Sequence, residues 1–303
     1  MKLKSLSILC PVLCILSLVM ADFTLSQEMV IVAKKVAADL PVEPDSFLWK
    51  MARTVEIPLA SQVLVRPRTY DASVKEVKVK ALHNGREIAF SLEWKDPTRD
   101  ASPEVEHTFS DGVALQFPSE RGGRKPHFAM GDEEGIVNIW NWKAILQEGI
   151  EKKRVYATVD DFLAGLQAGN PVSFPPKTPV QNLMASGFGS LTNLGEKGQT
   201  IFGRGKWEAG IWRVILKRSM KATEKYEAQF EEGALMPIAF AAWDGAKDER
   251  GARKAVSTWY YVALETETRA TVYVYPLLTF LGTGALVIGL ILFLRKRKMT
   301  LSS

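Results

Sequence analysis

The chain has 303 residues, with 39 Lys and Arg against 34 Asp and Glu, three histidines and two cysteines. Both cysteines, Cys10 and Cys14, fall in the first 21 residues. The remainder therefore cannot hold an iron–sulfur cluster, cysteine-ligated zinc, a thiol nucleophile or a haem attached through Cys-x-x-Cys-His.

Residues 1–21 read as a signal peptide. Lys2 and Lys4 precede an apolar run from Leu6 to Val19, and Val19-Met20-Ala21 supplies small residues for cleavage. An uncleaved anchor is the alternative, and neither cysteine has the small-residue context of a lipid attachment site. At the other end, Val272 to Leu294 carries no charge, and Arg295-Lys296-Arg297-Lys298 follows. A bilayer core takes about 20 apolar residues as helix, so 272–294 is expected to span, with the basic tail 295–303 on the cytoplasmic side. The expected location is a cell membrane, single-pass, with residues 22–268 on the periplasmic side. The two ends hold six cations and no acid. Subtracting those six from 39 leaves 33 against 34 acids, a net of −1 for the part between. That balance gives no electrostatic case for nucleic acid.

Residues 22–268 read as mainly β. Val55 to Val65 offers two short strands. Val77 to Trp94 is two alternating runs joined at Asn84-Gly85, a hairpin signal. Gly112 to Pro118 is an apolar strand. Helical patterning is expected over Val137–Gly149 and Val159–Ala168, and Asn170 to Pro179 is a proline-rich loop. Thr200 to Arg218 gives a hairpin about Glu208-Ala209-Gly210. Met236 to Trp243 and Ser257 to Glu265 form a final strand pair. Strands at this spacing favour a two-sheet sandwich, a single domain without internal repeat.

Signatures of catalysis are missing. There is no Gly-x-Ser-x-Gly elbow, Walker loop or His-Glu-x-x-His, and Ser186-Gly187-Phe188-Gly189 lacks the strand-to-helix setting of a dinucleotide fold. His83 adjoins the Asn-Gly turn and is expected to be solvated. His107 and His127 lie in polar stretches, too scattered for a metal site. Asp132, Glu133 and Glu134 read as a solvated turn.

Three segments carry a resemblance. The first is Trp94-Lys95-Asp96-Pro97-Thr98 with Phe109-Ser110-Asp111-Gly112-Val113-Ala114-Leu115-Gln116-Phe117-Pro118. The second is Phe128-Ala129-Met130-Gly131 with Val137-Asn138-Ile139-Trp140-Asn141-Trp142-Lys143. The third is Ala239-Phe240-Ala241-Ala242-Trp243-Asp244-Gly245, leading through Asp248-Glu249-Arg250 to Lys254-Ala255-Val256-Ser257-Thr258-Trp259. Together with the hairpin Gly205 to Val214, they resemble the haem-binding γ subunits of type II DMSO-reductase-family molybdoenzymes, a group that includes ethylbenzene dehydrogenase, selenate and chlorate reductases and nitrite oxidoreductase. The resemblance covers most of residues 85–265 in order; the stretch from Glu151 to Val180 does not match, and the C-terminal helix points to the membrane-attached branch.

The resemblance implies a β-sandwich holding one non-covalent haem b. Its axial ligands would be the residues matching the family's methionine and lysine, here Met130 and Lys254. A soft thioether favours ferrous iron, and a lysine binds only as the neutral amine. From the residues alone, Met130 also reads as a core gap-filler and Lys254 as a surface cation, and Lys206, Lys217 and His127 stand as rival ligands. Trp140, Trp142 and Phe128 read as packing residues of the core or haem rim. The implied role is a non-catalytic electron-transfer subunit. Its partners would be a molybdopterin catalytic subunit, an iron–sulfur subunit, and a cytochrome c or membrane electron carrier. Two other classes stay open: a cofactor-free anchored sandwich whose eight tryptophans meet a carbohydrate or protein partner, and a stand-alone haem sensor.

Overall fold

The computed structural model describes residues 30–64, 66, 68, 70–101, 109–120, 122–152, 177–266 and 271–300. The expected signal peptide, His107, the expected helix Val159–Ala168 and residues 170–176 of the proline-rich loop lie outside the described residues. The chain divides into two units, residues 1–265 and 266–303.

Among the described residues the first unit holds fourteen paired strands. The Asn84-Gly85 hairpin forms as expected, between β4 (Glu76–His83) and β5 (Glu87–Lys95). Asn84 Oδ1 accepts from the backbone N–H of Arg86 and Glu87, and Gly85 takes φ 81°, the left-handed geometry that glycine supplies without strain. β10 (Phe202–Glu208) and β11 (Ile211–Ser219) form the second hairpin about Ala209 and Gly210, both at positive φ. β11 then pairs along the whole of β5. This gives one half of the molecule, β10–β11–β5–β4, with β2 (Val55–Pro58) on β4.

The other half runs β12 (Leu235–Trp243), β6 (Gly112–Pro118), β7 (Val137–Lys143), β8 (Val180–Ala185) and β9 (Thr192–Asn193), all antiparallel. Short β13 (Ala255–Val256) bridges β12 to β3 (Ala60–Ser61). Two strands join the halves. β1 (Val30–Lys35) runs parallel to β14 (Tyr260–Leu264) and then to the end of β4, while β12 pairs β14 through its first residues and β6 through its last.

The inner faces meet in an aromatic core. Phe90 of β5 lies 6.0 Å from Phe117 of β6 and from Trp140 of β7, and Phe117 lies 4.8 Å from Trp140. Trp142 and Trp212 pack edge to face at 5.1 Å. Large rings at these separations gain from offset and edge contacts beyond their burial. Polar groups beside this core are paired: Asn138 Oδ1 accepts from Trp140 Nε1 at 2.8 Å, and Asn182 Nδ2 donates to Glu227 Oε1 at 2.8 Å.

Two expectations need correction. Residues 137–143 are strand β7, and helix begins only at α1 (Ala144–Glu151). The β7 side chains are apolar on both faces, Trp140 and Trp142 inward and Val137 and Ile139 outward, so the alternation that marks a half-buried strand is absent. His83 is fully buried, with Nε2 2.9 Å from the Glu265 carbonyl, because β1 and the end of β14 close over the end of β4.

Gly245 follows β12, and a Cβ there would stand 1.8 Å from the Phe109 carbonyl oxygen. Backbone cannot move aside as a side-chain tip can. Gly245→Ala should therefore lower stability by about 3 kcal/mol, the upper range for overpacking, whereas Gly233→Ala, with open space around it, pays only the strain of φ 82°. Urea midpoints of the two variants check this.

The second unit is helix α2 (Thr271–Thr300), 30 residues, with Pro276 inside. The helix continues past Leu294 through the basic cluster. Its described side chains are exposed and largely apolar, among them Val274, Leu277, Phe280, Leu281 and Ile288, while the Thr279 and Thr283 hydroxyls donate to backbone carbonyls one turn back. Among the described residues no helix is long and apolar enough to cross a membrane; those of α2 with described side chains are only 274–286, 288 and 289.

Candidate functional site

The outer face of the β12–β6–β7–β8 half carries an apolar patch that the sandwich core does not use. Register explains it. Ala239, Gln116, Ile139 and Leu183 lie in one cross-strand row, and Ala241, Ala114, Asn141 and Gln181 in the next. Three alanines in the middle of two strands keep this face low, a floor of methyl groups with larger side chains around it. Phe128, Met130 and Trp259 pack onto it from outside the strands, and Trp243 from the end of β12.

Met130 comes from the loop between β6 and β7 and takes φ 68°. A left-handed methionine is uncommon and costs free energy, so the surroundings must impose it. They do so with hydrogen bonds. The Met130 N–H donates to Gln116 Oε1 at 3.0 Å, its carbonyl accepts from the Gly187 N–H at 2.8 Å, and Gln116 Nε2 donates to the Phe128 carbonyl at 2.7 Å. Gly131 follows at φ 73°, its position hemmed in by the Gly135 and Ala185 carbonyls. Trp259 fastens the loop's start by donating from Nε1 to the Pro126 carbonyl at 2.9 Å. The backbone that carries the thioether is thus fixed at the margin of the floor.

Lys254 reaches the same patch from the segment between β12 and β13. It is 8% exposed, and its Nζ lies 5.2 Å from the centre of the Trp243 ring. Among the described residues no carboxylate pairs with it. Burial pushes its pKa down to about 8, so the neutral amine is within easy reach near neutral pH. A buried lysine whose only side-chain company among the described residues is an aromatic face is a costly arrangement unless its lone pair has a use.

The rival residues lie elsewhere or lack the means. Lys206 of β10 is paired with Asp45 and Glu208, and Lys217 of β11 with Glu87, both in the opposite half. His127 neighbours Met130 in sequence but is exposed, with Nδ1 accepting from the Ala129 N–H at 3.2 Å. Phe128 lies at the patch, while Trp140 and Trp142 belong to the interior core. Trp94, Trp140, Trp142 and Trp212 are all at most 2% exposed, so half of the tryptophans cannot serve as a carbohydrate-stacking face.

Sequence reasoning missed three parts of this arrangement: the Gln116 clamp, the alanine floor, and Trp243 beneath the lysine. A signal existed in Ala239-Phe240-Ala241-Ala242, where small residues alternate with a bulky one across the two faces of a strand.

Comparison with known proteins gives the following. The family described as Ethylbenzene dehydrogenase matches residues 46–164 and 167–255. The chain is 24% identical over 255 residues to the "Putative respiratory nitrate reductase heme subunit ORF7" of Haloferax mediterranei, covering 84% of this chain and 80% of that one. It is 25% identical to the Chlorate reductase subunit gamma of Ideonella dechloratans, covering 73% and 79% respectively. To the Dimethylsulfide dehydrogenase subunit gamma of Rhodovulum sulfidophilum it is also 25% identical, covering 74% and 76%. Among solved structures, a carbohydrate binding module family 9 from Caldicellulosiruptor kristjanssonii in complex with glucose aligns over 79% of this chain and 97% of that one, at 9% identity and a TM-score of 0.43. That likeness is too loose to bear on function. The matched stretches take in the Met130 loop, the floor strands and Lys254, and on them the chain belongs to the ethylbenzene dehydrogenase family.

Proposed function

We propose that this chain is the haem b-carrying electron-transfer subunit of a molybdenum oxidoreductase, with Met130 and Lys254 as the axial ligands. The observation that carries the reading is Lys254: a buried amine without an acidic partner among the described residues, beside the same apolar floor as a methionine held in a left-handed backbone. Haem bound there supplies one-electron chemistry. The alanine floor gives a flat macrocycle close approach to the sheet, the Gln116 clamp holds the thioether in place, and burial keeps the Lys254 amine ready to lose its proton. Were Met130 and Lys254 both to hold the iron, no coordination site would stay open for a substrate, which would suit electron transfer over catalysis. A relative named as a heme subunit and two named as γ subunits support the same reading.

The partners follow by the same analogy: a molybdopterin catalytic subunit, an iron–sulfur subunit, and a cytochrome c or membrane carrier as the outer electron partner, with nitrite or nitrate as the favoured chemistry. α2 is proposed to cross the membrane. The uncharged run 272–294 within it, at about 1.5 Å per residue, is long enough for a hydrocarbon core of about 30 Å, and the basic run 295–298 would keep its end cytoplasmic, with the β domain periplasmic.

The test is a pyridine haemochrome assay on full-length protein produced with haem available. One haem b per chain is expected; folded protein that takes up no haem b would overturn the reading.

A further inference from the structure

The recognised strings Trp94-Lys95-Asp96, Ser110-Asp111-Gly112 and Trp243-Asp244-Gly245 each hold an aspartate that takes no part in the Met130–Lys254 patch, yet the fold brings the three aspartates together. Asp96 closes β5, Asp111 opens β6 and Asp244 closes β12. One carboxylate oxygen from each lies within 4.8 Å of one from each of the others, and all three residues are at most 5% exposed.

Three carboxylates this close repel one another, and the surroundings only partly answer them. Asp111 is well satisfied: Oδ1 accepts from the Gly245 N–H at 2.9 Å, and Oδ2 from the Asp100 N–H at 2.7 Å and Trp212 Nε1 at 3.0 Å. Asp96 is half satisfied, since Oδ1 takes the Thr98 N–H and hydroxyl while Oδ2 is buried with no hydrogen-bond partner among the described residues. Asp244 Oδ1 is buried and unpartnered likewise, and so is Oδ2 of neighbouring Asp100. Lys247 bears on Asp244 from one side, and Glu249, whose Oε2 accepts the Asp244 N–H, adds a further acid from the other. Without a cation, burial and mutual repulsion drive the Asp111 pKa up to about 8 and that of Asp96 up to about 6. Buried oxygens left without donors mark a site built for something that accepts their lone pairs.

From this convergence of unpartnered, buried oxygens we infer that Asp96, Asp111 and Asp244 bind a hard divalent cation of the calcium class. The donor set is all oxygen and carries no nitrogen or sulfur, which excludes a preference for soft metals. The ion would tie together the ends of β5, β6 and β12. Two of those strands carry the alanine floor, and β12 ends at the Trp243 that underlies Lys254, so the site is structural support for the patch. It stands on its own observations and survives or fails independently of haem binding.

The experiment uses full-length protein, chelated and then equilibrated with calcium alone. One calcium per chain is expected by elemental analysis. The melting temperature should rise by several degrees over the chelated sample, since an ion that binds only the folded state stabilises it by mass action. Terbium in calcium's place should show luminescence excited through Trp212, whose Nε1 touches Asp111, and calcium should displace it. Asp96→Asn and Asp244→Asn should abolish both responses. No stoichiometric calcium, with a melting temperature and terbium emission indifferent to calcium in the wild type, would overturn the inference whether or not the variants fold. A full wild-type response retained in the folded Asn variants would do the same.

Discussion

Replacing Lys254 by alanine in the haem-loaded protein should convert a six-coordinate low-spin spectrum into one with an open axial position that takes water or carbon monoxide. The side chain removed is a buried amine over the Trp243 ring, and among the described residues it forms no ion pair, so its loss would empty the proposed coordination position without breaking one. Met130→Ala tests the other ligand proposed. Losing the soft thioether should lower the haem potential, while the loop keeps its shape through the backbone bonds to Gln116 and Gly187. Acid should mimic the lysine variant, because protons compete with iron for the amine. Lys206→Ala and Lys217→Ala should match the wild type, being paired with acids in the opposite half. His127→Ala should also keep its low-spin spectrum. A low-spin spectrum unchanged in Lys254→Ala would remove that residue from the coordination sphere.

In the haem-free protein the same lysine becomes a liability with a defined pH signature. Burial lowers its pKa from 10.5 to about 8. Between about pH 8 and 10.5 the unfolded chain holds a proton that the folded protein has released, so stability should rise with pH across that window and be lowest, for this group, below it. Lys254→Met keeps the length of the side chain and removes the charge. The haem-free variant should be more stable than wild type at pH 7, by on the order of 3 kcal/mol, since each tenfold change in proton affinity is worth about 1.4 kcal/mol. The gap should close toward pH 10.5. Urea midpoints measured at several pH values decide it: a gap that stays constant with pH means that packing, not ionisation, sets the difference.

The elements legible in the sequence are those whose signal is local. Asn84-Gly85 fixes its hairpin through a side chain bonding its own turn, and Gly112 to Pro118 is apolar between turn residues. β7 was hidden because both of its faces are buried, one in the core and one under the patch. β1 and β8 were not anticipated, since their pairing is set by partners far along the chain, β1 with β14 and β8 with β7. His83 looked solvated from its turn, but what buries it comes from residues almost two hundred positions away. For the candidate site, the residue types of Met130 and Lys254 were legible only through family-like strings. That they meet one alanine floor depends on the register of β12 on β6, which no local pattern encodes. The aspartates were visible in those same strings, and only the fold shows that three strand ends bring them together.

The most direct test of the account is near-infrared magnetic circular dichroism, with electron paramagnetic resonance, on the oxidised haem-loaded wild type. Met130 and Lys254 as ligands require a single low-spin ferric haem whose charge-transfer band falls where thioether–amine ligation puts it. A high-spin haem, or a low-spin haem whose band indicates ligation by nitrogen alone, would contradict it.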